Sequence, residues 1–258
     1  MSKSVFCACL FCVAVCLFLS PPSLHSQLAE EAWSLPPEAQ AASYLEMGNE
    51  FARQGDPVRA IGAYNVALDY APDYAAAYFK RGLAEQARGR FKEAIADFTR
   101  TLEIVPECAE AYQNRGYLRA LQGDVENAFS DWAVAVEINP RLTVAFYNRG
   151  NLRLSHGDLP GAIADFDKAL AADPRYASAY NNRGIARAGL GDLDSAVADF
   201  NRAIRINGRS PEPYTNRGLV RLEQGQLAEA HRDFARSIAL RPSLKPLIEE
   251  RSRAIAGR

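Results

Sequence analysis

The 258-residue sequence predicts an all-α solenoid of stacked helical hairpins. Three observations predict it. From Ala41 onward a pattern returns every 34 residues without insertion or deletion, giving units 41–74, 75–108, 109–142, 143–176, 177–210 and 211–244. Each unit carries glycine at its eighth and fifteenth positions. Each also carries an aromatic residue at its fourth and twenty-fourth positions and alanine at its twentieth. A self-similar period of roughly 20–50 residues belongs to units that cannot bury an apolar face alone and do so by stacking on their neighbours.

Ahead of the repeats, residues 1–26 form a segment of different character. Lys3 is its only charge, and Val5 to Leu19 is an unbroken apolar run of 15 residues. A membrane span needs roughly 20 such residues, so the run is short for a permanent helix and suits the core of a secretion signal. Pro21 and Pro22 end it, and Ser26 offers a small residue before a mature start at Gln27. Retention as an N-terminal anchor is the alternative. Cys12 and Cys16 follow Phe11 and Val15, a poor setting for a lipoprotein cleavage site. Cys7, Cys9, Cys12 and Cys16 would leave with this segment, so Cys108 alone would remain, without an internal disulfide. A small buried residue is the expected role of Cys108. The expected location is therefore secreted, periplasmic or envelope-bound.

Residues 27–40 read as a linker punctuated by Pro36 and Pro37. Within each unit the recurrent residues have mechanical reasons. Glycine at position 15 ends the first helix in a left-handed turn. Asp56, Asp124, Asp158 or Asp192 follows it, suited to cap the second helix. Proline at position 32 (Pro72, Pro106, Pro140, Pro174 and Pro242) stops that helix, with Gly208 as the exception. Glycine at position 8 and alanine at position 20 let the two helices approach closely, and the aromatics fill the space beside them. Mid-helix glycine costs about 1 kcal/mol relative to alanine, so the repeated choice implies a packing gain. Residues 245–258 read as a capping helix, with Leu247, Ile248 and Ile255 covering the last unit.

This combination of aromatic, Gly, Gly, Ala, aromatic and Pro at a 34-residue pitch resembles the tetratricopeptide repeat (TPR) family over all of 41–244. The resemblance implies a right-handed TPR superhelix, an α-solenoid of six helix-turn-helix repeats plus the capping helix. It also implies a concave groove lined by the first helices.

Arginine recurs at position 7 (Arg81, Arg115, Arg149, Arg183 and Arg217) and at position 11 (Arg119, Arg153, Arg187 and Arg221). Residues four apart stack on one helix face, here the face that carries positions 4 and 8 and meets the second helix. Position 23 on the second helix is Asp97, Asp131, Asp165, Asp199 and Asp233. The first unit replaces the arginines by Met47 and Phe51, and its position 23 is Ala63. Cation and carboxylate disappear together, which predicts partly buried structural ion pairs rather than a phosphate-binding row.

The opposite stripe of the first helix, at positions 2, 5, 6, 9 and 13, is the groove wall that the resemblance implies. Position 6 reads Glu46, Lys80, Asn114, Asn148, Asn182 and Asn216. Four successive amides offer donors and acceptors that match an extended peptide backbone, similar to the asparagine ladder in the superhelix of O-linked N-acetylglucosamine transferase. Tyr117, Tyr147, Asn151, Asn181, Ile185 and Thr215 are expected to frame the same groove. Position 2 (Ala42, Ala76, Glu110, Val144, Ser178 and Glu212) lacks the basic residues of a carboxylate clamp of the kind that binds chaperone C-termini.

No catalytic constellation, metal cluster or phosphate loop is evident, and neither a cofactor nor a metal is expected. With 30 basic and 31 acidic residues the chain lacks the positive excess of a nucleic-acid binder. The expected function is a non-enzymatic scaffold that binds an extended or disordered segment of another protein. Membrane contact is expected only through an uncleaved N-terminal segment. Two alternatives are a structural component docking through its convex face or end repeats, and a recruitment module for a separately encoded enzyme.

Overall fold

The computed structural model describes residues 36–256; the expected signal segment lies outside them, as does the linker up to residue 35. Two compact units make up the chain, one reaching Gln122 and the other starting at Gly123. The first contains α1 (Pro37–Arg53), α2 (Pro57–Tyr70), α3 (Ala75–Ala87), α4 (Phe91–Ile104) and α5 (Ala109–Leu121). The second contains α6 (Val125–Ile138), α7 (Thr143–Ser155), α8 (Leu159–Ala172), α9 (Ala177–Gly189), α10 (Leu193–Ile206), α11 (Pro211–Glu223) and α12 (Leu227–Leu240). A short 3₁₀ turn at Pro242–Leu244 leads into α13 (Lys245–Ala256). The described residues contain no strand.

Helix α1 begins at Pro37, inside the stretch that the sequence assigns to a linker. Pro37 lacks an N–H that the first turn would leave unpaired anyway, so it opens the helix at no cost. First helices end at glycines whose φ lies between 74 and 82°. At Gly157, φ is 79° and a Cβ would meet no atom within 4 Å, so the backbone angle and not space excludes other residues. Asp56, Asp158 and Asp192 cap the second helices, accepting from the backbone N–H of Arg59, Gly161 and Ser195 at 3.0, 3.0 and 3.3 Å. Asp124 departs from that expectation: both its oxygens accept from the Asn127 side chain instead.

Glycine at position 8 meets the aromatic ring of position 24. A Cβ on Gly150 would lie 2.8 Å from Phe166 Cε1, and one on Gly184 would lie 2.7 Å from Phe200 Cε1. Each ring is buried, beside the fully buried alanine of position 20 (Ala162, Ala196). In the first unit Tyr64 plays this part within a core of Leu45, Ala60, Ile61, Ala67, Leu68, Ala77 and Ala84. At the end of the second unit, Ile248 of α13 closes a cluster with Ala230 and Phe234. Leu247 points outward rather than onto the last repeat, because on this helix only one of two adjacent residues can face α12.

The arginines of position 7 form the polar part of the same interface. Arg149 Nε and Nη2 donate to Asp165 at 2.9 and 2.6 Å, and Arg153 Nη1 adds a third bond at 2.8 Å. Arg183 and Arg187 hold Asp199 in the same way, as do Arg217 and Arg221 for Asp233. In the first unit Arg81 forks onto Asp97 at 2.9 and 2.6 Å. Arg115 lies over the Tyr112 ring and donates to Thr99, while Asp131, in the other unit, is buried. Burial of the Arg183 guanidinium works against its charge, but the bonds to Asp199 and Asp167 outweigh that and tighten its hold on the proton.

One contact lies beyond the sequence reading. The remaining nitrogen, Nη1, of position 7 reaches back to the preceding repeat: Arg81 to Asn65 at 2.7 Å, Arg115 to Thr99 at 3.1 Å, Arg183 to Asp167 at 2.5 Å, and Arg217 to Asn201. Its signal was available, because position 25 is polar in just these repeats. At Arg81, Arg183 and Arg217 one side chain thus joins the two helices of its own repeat and ties them to the repeat before.

Two stability differences follow from these contacts. Asp165 is 2% exposed and Asp167 50%. Asp165→Ala strands two guanidiniums and is expected to cost about 3–5 kcal/mol, against about 1 kcal/mol or less for Asp167→Ala. Chemical denaturation followed by circular dichroism measures both. The same assay should give opposite signs for two helical glycines. Gly184→Ala drives a methyl into Phe200 and should destabilise by up to about 2 kcal/mol. Gly62→Ala meets no atom within 4 Å and should stabilise by up to about 1 kcal/mol.

Candidate functional site

On each first helix, the face opposite the arginines carries positions 5, 6 and 9. In the second unit this face belongs to α7, α9 and α11. Periodicity sets which residues appear there, because the arginines, glycines and aromatics at positions 4, 7, 8 and 11 are already committed to the hairpin interior. The structure brings Tyr147, Asn151, Asn181, Asn182 and Asn216 into one hydrogen-bonded row. Asn216 Nδ2 donates to Asn181 Oδ1 at 3.0 Å, and Asn181 Nδ2 donates to Asn182 Oδ1 at 2.9 Å. Asn182 Nδ2 in turn donates to Asn151 Oδ1 at 2.7 Å and lies 3.3 Å from the Tyr147 hydroxyl. The row therefore crosses three consecutive first helices. All five side chains are half-buried, as is Asn148 at the start of the row.

Sequence reasoning placed these amides on one face but did not foresee that they pair with one another. The pairing arises because position 6 of one helix reaches positions 5 and 9 of the helix before it, while Asn181 and Asn182 join within α9. Each amide keeps bonding capacity beyond these bonds: an asparagine has two N–H donors and an oxygen with two lone pairs, and Asn216 uses one N–H here.

The other expected residues are distributed as follows. Tyr147 packs on Tyr176 with ring centroids 4.7 Å apart. Burial, then the neighbouring Tyr147 and Asp173, push the Tyr176 hydroxyl up to about 12, so that ring packs as a neutral group. Ile185 is exposed beside the row. Thr215 differs from expectation: it is buried, and its hydroxyl shares a 2.6 Å hydrogen bond with Ser237 on α12. Ser237 also donates to the Pro211 carbonyl, so Thr215 serves the hairpin interior rather than an open wall. In the first unit Tyr117 is exposed, and Asn114 Nδ2 donates to the Glu110 carbonyl one turn back at 2.8 Å. Position 6 there is otherwise charged, with Glu46 and Lys80 both exposed. The Tyr64 hydroxyl, unique among the ring residues of position 24, emerges beside them and donates to Asn49 at 3.1 Å.

No group of three or more metal-ligating side chains gathers among the described residues. Burial pushes the Cys108 thiol above its ordinary value, which disfavours the reactive thiolate. His156 sits at the end of α7 with Nδ1 2.8 Å from the Leu152 carbonyl.

Comparison with known proteins agrees with this architecture. The tetratricopeptide repeat model matches residues 45–106, 79–141 and 147–211, together more than half of the chain. Among curated proteins no relative matches. Among solved structures, MamA is similar with 25% identity and a TM-score of 0.59 over 66% of this chain and 93% of that one. YrrB, described as a TPR protein with an unusual peptide-binding site, is 25% identical with a TM-score of 0.56, over 65% of this chain and 87% of that one. A tetratricopeptide repeat protein from Parabacteroides merdae shares the fold at 24% identity and a TM-score of 0.65, over 84% of this chain and 91% of that one. Such repeats serve as protein-interaction scaffolds and are typically non-catalytic. Period, helix pairing and packing all agree with the matched model, and the chain belongs to the tetratricopeptide repeat family.

Proposed function

We propose that this protein is a non-enzymatic scaffold whose first-helix face binds an extended segment of a partner protein along its amide row. The observation that carries the reading is the chain of bonds from Asn216 through Asn181 and Asn182 to Asn151. Amides already bonded to one another are held in one orientation, so a peptide backbone laid across them loses less side-chain entropy on binding. Their unspent N–H and C=O groups match the alternating groups of that backbone. Tyr147 and the exposed Ile185 supply apolar area beside the polar row. The peptide-binding description of YrrB, a protein of the same family at 25% identity, supports this kind of ligand.

Export fits the same reading. Residues 1–26 carry the pattern of a cleaved signal, and no helix of the described residues is long and apolar enough to cross a membrane. A partner would then be sought in the envelope or outside the cell.

Two measurements test these statements. Replacement of Asn114, Asn148, Asn182 and Asn216 by alanine should leave the circular dichroism spectrum unchanged and weaken peptide capture at least tenfold. That is the loss of about 1.4 kcal/mol or more, modest for up to four backbone contacts. A folded variant that retains every partner removes the amide row from the binding role. Mass spectrometry of the protein from its native host should give a mature chain beginning at Gln27; a chain still carrying residues 1–26 would favour the anchored form.

A further inference from the structure

Arginine at position 7 has three bonding arms, and in one repeat an arm is unspent. In Arg81, Arg149, Arg183 and Arg217, Nε and Nη2 fork onto the aspartate of position 23. Nη1 reaches an acceptor at position 25 of the preceding repeat, supplied by Asn65, Thr99, Asp167 or Asn201. For Arg149 the equivalent residue is Ala133, which has no acceptor. Arg149 Nε and Nη2 are satisfied by Asp165 at 2.9 and 2.6 Å, and Nη1 has no hydrogen-bond partner among the described residues.

A pocket of about 850 Å³ opens at this point, lined among others by Ala133, Glu137, Arg141, Arg149 and Lys168. Lys168 Nζ stands over the Phe146 ring at 5.5 Å and forms no ion pair among the described residues. Arg149 is already paired with Asp165, so two further cations, Lys168 and Arg141, border the space against one carboxylate, Glu137. The next repeat fills the equivalent place with a carboxylate, Asp167 at 2.5 Å from Arg183 Nη1, and the other repeats fill it with an amide or a hydroxyl. At Arg149 the added charge of Lys168 and Arg141 favours the carboxylate.

From this geometry we infer that the pocket between α6, α7 and α8 binds a carboxylate supplied from outside the chain, bonded to Arg149 Nη1 and neutralised by Lys168 and Arg141. The methyl side chain of Ala133, short and without an acceptor, leaves both the room and the unspent donor. A charge-assisted bond to a guanidinium is directional and selects a carboxylate over a neutral amide of the same shape. The site lies apart from the amide row, so it does not depend on the function proposed for that row.

The test uses the full chain labelled with ¹⁵N and follows the arginine Nε–H signals at constant ionic strength. The probes are acetyl-Gly-Asp-Gly-amide, its Asn counterpart, and succinate. The Asp peptide or succinate should shift the Arg149 signal saturably, and the Asn peptide should bind at least tenfold more weakly. Stronger binding of the Asp peptide assigns the carboxylate to a partner chain, and stronger binding of succinate assigns it to a free organic acid. Ala133→Asp should fill the pocket from within, as Asp167 does for Arg183. It should abolish both responses and raise Tm while leaving the amide row untouched. The inference is overturned if neither acid gives a saturable shift, if the Asn peptide binds as well as the Asp peptide, or if Ala133→Asp responds as the wild type does.

Discussion

A carboxylate moved from water into a protein interior loses hydration worth several kcal/mol, and in these repeats paired arginines offset that cost. Asp165, Asp199 and Asp233 are almost fully buried, and each accepts a guanidinium fork plus a third bond from a second arginine. The fork admits one relative orientation of donor and acceptor. It therefore fixes the rotation of one helix against the other, which apolar contact alone specifies loosely. Because the arginine Nη1 then extends to the previous repeat, one polar centre sets geometry at two scales: within the hairpin and between hairpins.

That commitment leaves the opposite face of the first helix free to differ from repeat to repeat. The inward stripe is constrained by the fork, by the glycine under the ring and by the ring itself, as Gly150 and Phe166 show. The outward stripe carries Glu46, Lys80 and Asn114 at position 6 in the first unit and Asn148, Asn182 and Asn216 in the second. Asparagine is a mediocre helix former, and an exposed helix face has no structural need for it. Mutual bonding offsets part of that preference and immobilises the side chains, which makes the face a defined polar surface rather than a solvated one.

How much of this was legible depends on whether a feature is periodic. Helix pairs, left-handed glycines, ring packing and the arginine–aspartate forks all recur at the 34-residue pitch, so a single chain supplies its own replicates. Features settled by one local competition were not legible. Asp124 turns to the Asn127 amide instead of the backbone, since that amide lies within reach of both oxygens. Thr215 is drawn inward because Ser237 faces it across the hairpin. Leu247 yields the buried place to Ile248, its neighbour around the helix. The amide row lies between these cases. Its members were identifiable from spacing, but their pairing depends on distances between helices that spacing does not contain.

Departures from the period carry the most information when read as pairs. Met47, Phe51 and Ala63 remove both arginines and the aspartate of the first repeat together, and an apolar core with Phe51 packed against it takes their place. Removing both partners of a buried polar contact can be nearly neutral, whereas removing one strands the other. Two repeats show a one-sided departure instead. Glu85 stands where later repeats place an arginine; it is 6% exposed, its Oε2 has no hydrogen-bond partner, and Arg90 Nε is 3.9 Å away. Ala133 removes an acceptor while Arg149 keeps its donor. The first is a carboxylate without its guanidinium and the second a guanidinium arm without its acceptor. Only the second opens onto a pocket bordered by further cations, so there the unmet bond is accessible to a ligand, while at Glu85 burial keeps it within the fold.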